Sequence, residues 1–146
     1  MWRAAQKGEV VPAVTLKVLT KAFALAIVRL VDEFPNRRAG WVIGDQLMRS
    51  GTSVGANYRA ASRARSRREF IAKMGIVEEE ADESEYWLAL AVDAGLIKPE
   101  RVVQLRDDAR HIVAKTVLSI RHARGAPLAA PHATRRTLNL AAQTGV

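Results

Sequence analysis

The chain has no cysteine. Disulfides and thiolate metal sites are therefore excluded, and a reducing cytoplasm is a compatible setting. Aromatic residues are only 5% of the chain, and there are five prolines in 146 residues. Few aromatics and short β-branched runs argue against sheet, and scarce proline leaves room for long helices. No apolar run approaches the roughly 18 residues that a membrane span needs. The N-terminus (Met1, Trp2, Arg3) meets Lys7, Gly8 and Glu9 without a signal-peptide core. Three histidines, His111, His122 and His132, lack close metal-ligand spacing, and none precedes residue 111. These absences lead us to expect a soluble, cytoplasmic protein with no metal, no cofactor and no membrane partner.

What is present favours one helical domain. The hydrophobic share is 49%, enough for a real core, and alanine is abundant. Net charge is +8, from 23 Lys and Arg against 15 Asp and Glu. That balance suits an anionic partner such as nucleic acid, and equally suits solubility alone.

The stretch Gln46 to Ala61, QLMRSGTSVGANYRAA, organises the rest. Two glycines four apart, Gly51 and Gly55, each cost about 1 kcal/mol against Ala in a helix. Helical spacing nonetheless continues. Leu47, Gly51, Val54, Tyr58 and Ala61 share one stripe, and Gln46, Ser50, Ser53 and Asn57 share the next. A central helix with a small-residue face, closely packed by its neighbours, accounts for both facts.

In chain order, residues 1–13 show no period and form a flexible N-terminal segment. A first amphipathic helix is predicted from Val14 to Phe34, using Leu19, Phe23, Ala26, Ile27, Leu30 and Phe34, and stopped by Pro35. Asn36 to Gly40 are read as a basic turn, and the second helix runs from Trp41 to Ser62. The third runs from Arg67 to Ala94, with Ser66 as N-cap and Glu69 completing a capping box. Its residues Phe70, Met74, Val77, Ala81, Ser84, Leu88 and Ala91 step in a heptad seam. Gly95 is its stop signal. The fourth runs from Pro99 to Arg124, facing inward with Val102, Leu105, Ala109, Ile112, Thr116 and Ile120. The expected fold is all-α, an up-down antiparallel four-helix bundle over 14–124. Residues 125–146 are expected to form a basic, loosely attached tail, with one short helix around 137–142.

Two motifs carry a resemblance. One is RSGTSVGAN, Arg49 to Asn57, preceded by Gln46 and Leu47. The other is FIAKMGIVEEEADESEYWL, Phe70 to Leu88. With Phe34-Pro35 closing the first helix, they resemble the four-helix bundle protein family over about residues 15–122. Members of that family are encoded in intervening sequences of bacterial 23S ribosomal RNA genes. The accessory variability determinant of diversity-generating retroelements is similar. The resemblance implies a ring-like homo-oligomer, a homopentamer, without established activity in most members. For the retroelement branch it implies an accessory protein that binds nucleic acid and a reverse transcriptase.

Several residue groups bear on function. Arg59, Arg63, Arg65, Arg67, Arg68 and Lys73 lie close together, opposed only by Glu69. Arg37 and Arg38 form a second patch, in the turn at the opposite end of an up-down bundle. Arginine forks suit phosphate oxygens, and no interleaved aromatic points to base stacking. The bland alternative is a solvated loop. Glu78, Glu79, Glu80, Asp82, Glu83 and Glu85 form an acidic run, but a di-iron bundle also wants Glu-x-x-His, which is absent. Glu78 and Glu85 flank the seam within expected reach of Arg49 or Asn57. Gly51 to Gly55 lacks the Gly-Lys-Ser/Thr of a phosphate loop. No nucleophile, base and acid set is visible, so no enzyme is expected. Adjacent Tyr86 and Trp87 cannot face the same way on a helix, so one is expected at a subunit interface. The reading is an accessory or scaffold protein holding RNA or DNA through Arg-rich helix ends, with a protein-interaction module as the alternative.

Overall fold

The computed structural model describes residues 14–125. The expected N-terminal segment and basic tail lie outside the described residues. Within them the chain is all-α, with four helices and no strand.

Helix α1 (Leu16–Val31) opens on Thr15, whose hydroxyl oxygen accepts from the Val18 N–H at 3.3 Å. It ends three residues before the expected Phe34. There the backbone tightens, with Glu33 N donating to Leu30 O and Phe34 N to Val31 O. Such short-range bonds satisfy the last carbonyls of a helix and close it. Helix α2 (Arg38–Ser62) begins earlier than Trp41. Gly40 belongs to its first turn and lies hard against the Pro35 carbonyl. A Cβ there would sit 2.2 Å from that oxygen. Gly40 is therefore a close-approach residue rather than a turn residue, which is why the sequence reads one way and folds another.

Helix α3 (Arg67–Asp93) opens on Ser66, whose hydroxyl oxygen accepts from Glu69 N at 3.0 Å. The returning Glu69 carboxylate accepts from Arg65 N at 2.9 Å, one residue outside the usual capping box. Gly95 follows α3 with φ +70°, the left-handed conformation that glycine takes without strain. The fourth segment splits. A 3₁₀ turn, Pro99–Arg101, precedes α4 (Val103–Ala123).

Each helix packs on its chain neighbours, and α4 closes back onto α1. The α3 seam is buried from Met74 to Ala91, with Phe70 half-buried at its start. All six α4-side residues expected to face inward do so. From α1, Phe23, Ile27 and Leu30 are buried, and Leu19, Ala26 and Phe34 pack partly against them. On α2 the expected stripe holds, with Leu47, Gly51, Val54 and Ala61 buried. Its glycines face α1. A Cβ on Gly51 would come within 2.8 Å of Ile27, one on Gly44 within 3.0 Å of Val31, and one on Gly55 within 3.3 Å of the Thr20 carbonyl oxygen.

Candidate nucleic-acid interface

The α2–α3 turn is short and starts with a cation. Arg63 caps α2, its N–H bonding back to Ala60 and Ala61. Ala64 tucks into the core and Ser66 starts α3. A buried alanine between Arg63 and Arg65 holds the turn down while both side chains stay outside. Arg59, Arg63, Arg65, Arg67 and Arg68 are exposed, and Lys73 is half-exposed. Arg37 and Arg38 are exposed at the other end of the bundle, next to Asp32 and Glu33. The structure thus groups six of the eight expected binding residues and leaves Arg37 and Arg38 remote.

The cations with carboxylate partners lie outside both expected patches, since Arg37 and Arg38 also make no ion pair among the described residues. Among the described residues, ion pairs involve Arg49, Arg101, Arg106 and Arg110. None involves the α2–α3 group. Arg49 of α2 reaches Glu80 at 3.2 Å and also Glu83 on α3. Glu83 in turn accepts from the Trp87 indole N–H at 3.0 Å. Those two bonds, Trp87 first and Arg49 second, outweigh desolvation and hold Glu83 below the usual carboxylate range. Glu85 takes Arg106 at 2.9 Å and Arg110 at 2.7 Å, both from α4. Its burial pushes the carboxyl up, but the two guanidinium groups outweigh that and leave it lowered.

These contacts correct one expectation. Glu78 and Glu85 do not reach Arg49 or Asn57. Arg49 selects Glu80 and Glu83, Glu85 turns to α4, and Asn57 donates to Ser53 on its own helix. Heptad spacing places residues beside a seam, but only the arrangement of helices around the axis decides which neighbour each flank meets. Half of the acidic run, Glu80, Glu83 and Glu85, is thereby paired with arginines. Among the described residues no group of three His, Asp or Glu is placed to hold a metal ion. No helix among them is long and apolar enough to cross a membrane.

Tyr86 and Trp87 separate as their adjacency requires. Trp87 packs partly on the core, and Tyr86 stays 59% exposed with its ring edge-on to Trp87 at 5.1 Å. Four contacts fix the register of the bundle. Gly55 lies on Thr20. The Ser84 hydroxyl donates to buried Ser50 Oγ at 2.9 Å. Glu85 meets Arg106, and Lys115 Nζ donates to the Val14 carbonyl at 3.1 Å. Sequence reasoning missed what this register brings to the α2–α3 turn from α1 and α4. The antiparallel order itself was the signal that would have found it.

The chain matches the model of the 23S rRNA-intervening sequence protein family over residues 15–117. A crystal structure from Bacteroides thetaiotaomicron, described as a protein with unknown function from the S23 ribosomal protein family, is similar. It is 37% identical, covers 73% of this chain and 98% of its own, and superposes with a TM-score of 0.69. No curated protein matches the chain.

Proposed function

The chain belongs to the 23S rRNA-intervening sequence protein family, and from that premise we propose a non-enzymatic accessory protein that binds RNA or DNA electrostatically. The observation that carries this reading is the α2–α3 turn. Its arginines are exposed and their guanidinium groups make no ion pair among the described residues, whereas those of Arg49, Arg101, Arg106 and Arg110 are paired. Unpaired, solvated arginines are free to exchange counterions for phosphates. Contacts of this kind fix position on a backbone and read little sequence. In the fuller form of the proposal the protein is a cytoplasmic, ring-like homo-oligomer, a pentamer, in which repeated weak contacts add up. A scaffold for a nucleic-acid enzyme such as a reverse transcriptase is its narrowest form.

The test is binding of labelled structured RNA and duplex DNA across a salt series. We expect affinity to fall steeply with salt. Arg63→Ala, Arg65→Ala, Arg67→Ala and Arg68→Ala together should lower both affinity and slope with the helical spectrum unchanged. An unchanged slope in that variant removes the turn from the interface.

A second reading rests on a different observation. Trp41 and Tyr86 are exposed by 57% and 59%. Exposed aromatics of that size suit a protein contact. In this reading the module binds protein only, and its capture of a partner survives high salt.

A further inference from the structure

Register gives the α2–α3 end of the bundle more cations than the turn itself supplies. Helix α1 starts at this end and α4 finishes there. With Gly55 on Thr20, Lys21 and Lys17 lie beside the last turns of α2. With Lys115 on Val14, the segment of α4 beyond it continues toward the start of α3 and carries Arg121 and Arg124. Lys17, Lys21, Arg121 and Arg124 are all exposed, and none makes an ion pair among the described residues.

The resulting charge separation is large. The end comprising residues 14–21, 56–76 and 115–125 holds eleven Lys and Arg and a single acid, Glu69. The remaining described residues hold eight Lys and Arg against thirteen Asp and Glu. The bundle is a rod with one positive pole and a negative body. A polyanion laid along the rod would meet the acidic run that begins at Glu78, so it must engage the pole end-on.

Among its described residues the pole exposes no Phe, Tyr or Trp as a stacking platform. Its Tyr58 and Phe70 are both half-buried and pack against the core, and the exposed ring it carries is the small imidazole of His122. Trp41 lies near the far end of α2 and Tyr86 well beyond the pole along α3. Single-strand binders rely on exposed aromatics against unstacked bases, with about 1–3 kcal/mol per base. A rigid array of cations with only one small exposed ring among its described residues gains most from the denser phosphates of a duplex, where counterion release is greater.

We propose that the whole pole is one phosphate-binding face for double-stranded nucleic acid, to which α1 contributes Lys17 and Lys21 and α4 contributes Arg121 and Arg124. This rests on the nucleic-acid reading above and adds four residues and a ligand form to it. The experiment uses the full chain, a blunt 20-base-pair RNA duplex, the DNA duplex of the same sequence, and each isolated strand. The variant replaces Lys17, Lys21, Arg121 and Arg124 by Ala, with its melting temperature and helical spectrum as controls. A variant carrying only Lys17→Ala and Lys21→Ala repeats the measurement should the fourfold change impair folding.

Both duplexes are expected to bind more tightly than their strands. The fourfold variant is expected to lose about 0.9 in salt slope for each duplex phosphate contact removed. Absent salt-sensitive binding by the unaltered protein would overturn the nucleic-acid reading, and this proposal with it. Normal binding with full slope in the α1 and α4 variants, but loss in the turn variant, would leave that reading intact and overturn the pole. Preference for single strands over duplexes overturns the ligand form alone.

Discussion

Glu85 receives Arg106 through both of its carboxylate oxygens and Arg110 through one of them. Desolvation works against its charge, and the two arginines more than offset it, so the folded pKa is lowered. A carboxylate with a lowered folded pKa adds stability above its unfolded pKa, and that stability is lost as pH falls through the folded value. Glu33, bonded to Arg101, and Glu83, bonded to Trp87 and Arg49, are shifted the same way. We therefore expect the melting temperature to fall on the acid side of about pH 4.3, the ordinary glutamate value. Glu85→Gln keeps the side-chain shape and removes the charge. It should cost about 1.5–3 kcal/mol near neutral pH, the range for hydrogen bonds to charged groups. It should also make the acid side of the melting curve shallower. Thermal melts of both proteins from pH 3 to 7 check this, and parallel acid limbs would mean that Glu85 does not carry the coupling.

At the scale of the helix, the glycines of α2 work in opposition to helix propensity. Replacing a mid-helix Gly by Ala normally stabilises by about 1 kcal/mol. At Gly51 the new methyl would meet Ile27 Cγ1 and Cγ2, both at 2.8 Å, and Ile27 is wholly buried. Overpacking a tight core costs about 1–3 kcal/mol, so the net effect of Gly51→Ala should be destabilising. Gly75 in α3 has nothing within 4 Å of its would-be Cβ, and Gly75→Ala should stabilise by the full propensity gain. Chemical denaturation of the two variants should move the midpoint in opposite directions. The close-packed face was legible in the sequence because Leu47, Gly51, Val54 and Ala61 keep helical phase across residues that disfavour helix. The α3 and α4 seams were legible for the same reason of period. Helix ends were less so. Phe34 kept the phase of α1 beyond its last helical residue, and Gly40 looked like a turn because its packing against Pro35 is a tertiary fact. The partners of Arg49 were not legible at all, since Glu80 and Glu83 differ from Glu78 and Glu85 only in which side of the seam they occupy.

For the molecule as a whole, position of charge outweighs its sum. The turn arginines could be read from their crowding in the chain. Lys17 and Arg121 show no such crowding, because about a hundred residues separate them and it is the antiparallel closure of α4 on α1 that joins their ends. The same closure distinguishes the two patches named from sequence. Arg37 and Arg38 share their end with Asp32, Glu33, Asp93 and Glu100, and the ion pair of Glu33 with Arg101 lies there too. Arg67 and Arg68 share theirs with Glu69 and a surplus of cations. Screening confines exposed charges to a Debye length of about 8 Å at physiological salt. A phosphate at either end therefore responds to the local balance and not to the net +8 of the chain. Two variants of equal net charge separate these views. Arg37→Ala with Arg38→Ala should leave duplex affinity and salt slope nearly unchanged. Arg67→Ala with Arg68→Ala should reduce the slope by up to about 1.8, at about 0.9 for each duplex phosphate contact removed. Equal losses from both pairs would mean that the protein acts as a diffuse cation, and the end-on geometry would have to be abandoned.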